Sequence, residues 1–83
     1  MMMNKIQKEE FDSLDEFEQI EIKRMIKFET FESAIISYVN GVEGDYSQLS
    51  ASMLKLYKKY GNLKNNELKR VNIWIVKKGE SDE

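Results

Sequence analysis

Proline is absent from this 83-residue chain, and its four glycines stand at 41, 44, 61 and 79, so the strong backbone breakers already mark the joints. They leave three segments, and each reads as helix. The first runs from Ser13 to Asn40. Its start has the form of a capping box, with Ser13 followed three positions later by Glu16, and Asp15, Glu16 and Glu18 stand where a helix dipole favours negative charge. At about 100° per residue, Phe17, Ile20, Phe28, Phe31, Ile35 and Tyr38 fall on one narrow stripe, with Leu14, Met25 and Val39 at its margin.

The second segment follows a loop around Gly44. Asp45 or Ser47 can cap it, Leu49, Met53, Leu56 and Tyr60 share a face, and Gly61 ends it as a C′ residue. In the third, Asn65 or Asn66 can cap a helix that places Leu68, Val71 and Ile75 together. The run from Val71 to Val76 is also β-prone, but a lone strand has no partner within the chain, which favours helix. Asn4 followed by Gln7 predicts a further short helix before Asp12.

The expected fold is therefore all-α, with three main helices at about 13–40, 47–60 and 65–78 in a small bundle with a long first helix. It forms one domain over residues 1–79, followed by a disordered acidic tail at 80–83. A single helix over residues 14–39 is about 39 Å long at 1.5 Å per residue, whereas a compact chain of this size is roughly 30 Å across. Such a helix overhangs its own domain unless it bends near Glu29 and Thr30, where no breaker is evident. Its protruding seam, with Ile22, Ile26 and Ile36 outside the main stripe, predicts packing on a second copy or on another protein.

Composition narrows the chemistry. With no Cys and no His, the chain has neither thiol chemistry nor the commonest general base and metal ligand. The expectation is a protein that is not an enzyme and needs no cofactor, metal or small-molecule substrate. Ser52 and Lys55 match the bare Ser-x-x-Lys spacing of some acyl-transfer enzymes, but the companion elements are missing. Acidic pairs such as Asp12 with Asp15 or Glu29 with Glu32 lack the loop of a calcium site and read as solvated helix faces. No apolar run is long enough for a signal peptide or a membrane span, which predicts a cytoplasmic protein without a membrane partner. Frequent Lys, Asn and Ile suggest an A/T-rich coding sequence of the kind common among phage and mobile-element accessory proteins.

Charge is sorted along the chain beneath a net value of -2. Residues 1–45 carry eleven acidic side chains against five basic ones, and residues 46–78 carry eight basic side chains against Glu67 alone. A small domain without catalytic side chains acts by occupying a surface, so the leading expectation is a protein-binding regulator or inhibitor, with a homodimer as one form of partnership. Glu18, Glu21, Ile22, Ile26 and Glu29 are its candidate contact residues. The alternative is a small DNA- or RNA-binding regulator using Lys55, Lys58, Lys59, Lys64, Lys69 and Arg70, where cations alternate with Tyr57 and Tyr60. A helix-turn-helix across Gly61 would offer Asn65, Asn66, Lys69 and Arg70 to bases, although the apolar positions six and nine residues after Gly61 hold Glu67 and Arg70.

Overall fold

The computed structural model describes residues 3–79, and the acidic tail at 80–83 lies outside the described residues. Five α-helices follow in order: α1 (Lys5–Asp12), α2 (Glu16–Met25), α3 (Phe31–Asn40), α4 (Ala51–Tyr60) and α5 (Asn65–Lys77), with a 3₁₀ turn at Tyr46–Gln48 between α3 and α4. The all-α class stands and the three-helix plan does not: the helix expected over 13–40 is two helices, and a short one precedes it. None of the described helices is long and apolar enough to cross a membrane.

The break at residues 26–30 has a geometric cause. Ile22 and Phe31 are nine residues apart, as are Ile26 and Ile35, so one straight helix would set each pair on opposite sides, about 180° apart. All four are buried. Interrupting the helix turns both faces toward one core, and α2 packs on α3, α3 on α4 and α4 on α5. The chain finds its stop without glycine or proline: the Phe28 and Glu29 amides both donate to the Met25 carbonyl, closing α2. Thr30 then takes an extended conformation and its hydroxyl accepts from the Ser33 amide at 3.1 Å, starting α3. Glu29 reinforces the new start by accepting from the Ser33 hydroxyl at 2.6 Å. The resulting domain measures 32 × 20 × 20 Å, and no rod overhangs it. The overhang that required a companion molecule is therefore removed.

Other boundaries shift for equally local reasons. The capping box expected at Ser13 and Glu16 lies two residues on, at Asp15 and Glu18, while Ser13 closes α1 by donating its hydroxyl to the Glu10 carbonyl at 2.6 Å. The capping box of Asn4 and Gln7 starts α1 as the sequence predicts. Residues 46–48 form the 3₁₀ turn instead of the first turn of α4, because Asp45 accepts from the Ser47 hydroxyl at 2.6 Å and from the Gln48 amide group at 3.0 Å. These bonds also hold the Asp45 carboxyl below the usual carboxylate range. Ser50 caps α4. At its far end Gly61 keeps a right-handed backbone, and a Cβ there would stand 2.5 Å from the Tyr57 carbonyl oxygen; Asn62, at φ 51°, takes the left-handed position expected of the glycine. Residues 71–76 are helical within α5, whose Val71 and Ile75 reach the core.

Candidate protein-binding face

Helix α2 has two apolar faces. The inner one is the row Leu14, Glu18, Ile22 and Ile26, spaced by four and buried throughout. Glu18 is the sole charged residue buried among the described residues, at 1% exposure. Its carboxylate accepts from the Asp15 amide at 3.2 Å, the Ser50 amide at 2.8 Å and the Ser50 hydroxyl at 2.6 Å. The Ser50 hydroxyl in turn accepts from the Met53 amide at 3.0 Å. One carboxylate thus closes the N-termini of both α2 and α4, where two helix dipoles favour a negative charge and, among the described residues, every buried side-chain polar atom has a partner. Tyr38 lies within the same field: burial, then Glu18, Asp15 and Glu21, push its hydroxyl above the ordinary value.

The outer face of α2 carries Phe17 at 64% and Ile20 at 54% exposure, followed in the closing turn by Phe28 at 89%. Lys23, Arg24 and Lys27 accompany them. Two open depressions meet on this face, one lined by Ile20, Lys23, Arg24 and Lys27, the other by Phe11, Glu16, Gln19, Ile20 and Lys23. Exposed single aliphatics are ordinary, but three large apolar side chains along one short helix and its closing turn, two of them aromatic, are the composition of a contact surface.

The candidate contact residues read from sequence are divided by this geometry. Glu18, Ile22 and Ile26 face the core and cannot meet a partner without unfolding α2. Glu21 is half-buried and pairs with Arg24 at 3.4 Å, and Glu29 is half-buried and occupied by Ser33. Phe17, Ile20 and Phe28, assigned to the core stripe, are the residues that reach solvent. The signal that separates the two sets is the Asp15–Glu18 capping box, which marks Glu18 as tied to backbone.

Much of the basic segment is engaged within the domain. Lys59 and Tyr60 both donate to the Glu10 carboxylate, which fastens α1 to the end of α4. That contact raises the Lys59 pKa, while burial and then Glu10 raise that of Tyr60. Lys58 donates to Asn72 at 2.9 Å, and Arg70 lies over the Tyr46 ring and donates to the Gly44 carbonyl at 3.3 Å. Lys78 donates to the Ser47 carbonyl at 3.1 Å, and both Lys77 and Lys78 stand over Trp74. Lys55 is half-buried in α4, whereas Lys64, Asn65, Asn66 and Lys69 are exposed at the start of α5.

Among the described residues, the fold and this face together define an all-α arrangement of five helices with an apolar and cationic outer surface on the second. No protein-family model matches the chain, and comparison with curated proteins and with solved structures found no match.

Proposed function

We propose that this protein is a non-enzymatic binding protein, a regulator or inhibitor that acts by docking the outer face of α2 onto another protein chain. The observation that carries this reading is the exposure of Phe17 and Ile20 on α2 and of Phe28 in its closing turn, with Lys23, Arg24 and Lys27 lining a depression beside Ile20, while the opposite face of the helix already fills the core. Aromatic side chains bring large apolar area at little conformational cost, and flanking cations give a contact its orientation. The absence of Cys and His from the sequence agrees with a role that ends at binding. A nucleic-acid surface over residues 55–70 has less support, since Lys58, Lys59 and Arg70 are held by Asn72, Glu10 and Gly44.

A photo-crosslinking residue placed at Ile20, with a control at the exposed Glu32 of α3, tests the reading in cells. Adducts with a protein chain from position 20 and none from position 32 are expected. Adducts from both positions alike, or from neither, would overturn it.

A further inference from the structure

We infer that the segment received by the outer face of α2 is acidic, a stretch of protein chain with carboxylates beside one large apolar side chain; this rests on the binding role just proposed and names the chemistry of its partner. The two depressions on this face share Ile20 and Lys23, so they join into one trough. Phe11 of α1 supplies a wall at one end, and Lys23, Arg24 and Lys27 line the other. Ile20, 54% exposed, belongs to both. Such a trough takes an apolar anchor against Phe11 and Ile20 and carboxylates at its cationic end.

Charge decides between occupants. Residues 1–45 hold five basic side chains, and three of them are gathered at this one end of an otherwise acidic half. Glu21 pairs with Arg24 at 3.4 Å, whereas Lys23 and Lys27 are exposed and have no ion-pair or hydrogen-bond partner among the described residues. Cations near the end of a helix offset its dipole, but that amounts to about half a charge. Two ammonium groups exceed it, so this end stays positive. Glu16, at the other end, is the one carboxylate among the lining residues. A flat anionic bilayer would press its phosphates against Glu16 and cannot follow the hollow beside Phe11, while a peptide sets its carboxylates at the cationic end alone.

Selection of a random-peptide library on the full chain reads the result. Enriched peptides are expected to carry Asp or Glu clustered beside an aromatic or large aliphatic residue, and fluorescence anisotropy should show their binding weakening as salt is raised. Because residues 46–78 are also basic, variants locate the site. Lys23→Glu combined with Lys27→Glu should weaken binding about tenfold, as should Ile20→Ser, and Lys69→Glu on α5 should leave it unchanged. All four positions are exposed, and circular dichroism checks that each variant keeps the helical fold. A library that yields no binders, or binders without an excess of acid, or acidic binders lost with Lys69→Glu and kept with the reversal at 23 and 27, overturns the inference. Phosphatidylserine vesicles that bind the chain through Lys23 and Lys27 also overturn it. Position-20 adducts formed with a segment that lacks carboxylates keep the binding role and reject the acidic partner, whereas a lack of position-20 adducts rejects both.

Discussion

The inner and outer faces of α2 carry nearly the same apolar content, yet one is sealed and the other open. Leu14, Ile22 and Ile26 point inward, while Phe17, Ile20 and Phe28 point out. Hydrophobicity does not distinguish them; if anything the aromatic side has more area to hide. What fixes the rotation of the helix is Glu18, which accepts two hydrogen bonds from Ser50 at the head of α4 and a third from the Asp15 amide at its own helix start. The comparison teaches that a polar anchor, once it has bonded two helix ends, decides which of two apolar stripes enters the core.

Removing that anchor is the strongest way to break the difference. Glu18→Ala leaves the part-buried Ser50 amide and the Asp15 amide without their acceptor and breaks the link between the two helix starts, although Asp15 and Ser50 keep their own caps, and should cost about 4 kcal/mol. Calorimetry should then show the midpoint of thermal unfolding falling by more than about 15 °C in a domain of this size. Glu18→Gln keeps one carbonyl acceptor and should lose roughly half as much.

Ser50→Ala takes away the other half of the same clasp. The Glu18 carboxylate keeps the Ser50 amide but loses the hydroxyl, and the Met53 amide loses its cap, for about 2 kcal/mol by urea denaturation.

Alkaline pH probes the buried side through its tyrosines. Tyr38, Tyr57 and Tyr60 each have a hydroxyl raised above 10.0, first by burial. The folded chain therefore holds these protons more tightly than the unfolded chain does, so their contribution is complete below pH 10 and is lost as pH climbs through the raised values. Tyrosinate absorbance should rise together with the loss of helical circular dichroism above pH 10. Tyr38→Phe, which removes the group facing Glu18, should move that loss to higher pH.

On the outer side the expected effects are small. Phe17→Ser and Phe28→Ser should leave the monomer's stability within about 0.5 kcal/mol, since neither side chain leaves a cavity. The same substitutions should remove the position-20 adducts, which separates a binding surface from a structural one.

Where a local signal stands alone, the elements of this domain are legible in the sequence. Asn4 and Gln7 start a helix, Tyr60 and Gly61 end one, and Val71 and Ile75 share a buried face, each readable from a cap, a breaker or a period. Where two signals compete, they are not. A wheel drawn through residues 13–40 as one helix gathers Phe17, Ile20, Phe31 and Ile35 on one stripe, and the break at Thr30 turns α3 so that only Phe31 and Ile35 are buried. Thr30 is legible as a cap in principle, but the apolar period runs through it without interruption. Glu18 is equally hidden, because a carboxylate read alone belongs to the surface, and Ser13 with Glu16 offers the same three-residue spacing as Asp15 with Glu18. Its distant partner, Ser50, is thirty-two residues away, and no local pattern joins them.

Two isoleucines two positions apart test the two-faced helix most directly. Thermal and urea unfolding of Ile20→Ser and Ile22→Ser should differ sharply. Ile22→Ser, which opens a cavity and buries a hydroxyl in a fully enclosed site, should cost about 4 kcal/mol, and Ile20→Ser no more than about 0.5 kcal/mol. Equal losses at the two positions, or a larger loss at Ile20, would contradict the orientation of α2 and with it the surface assigned to its outer side.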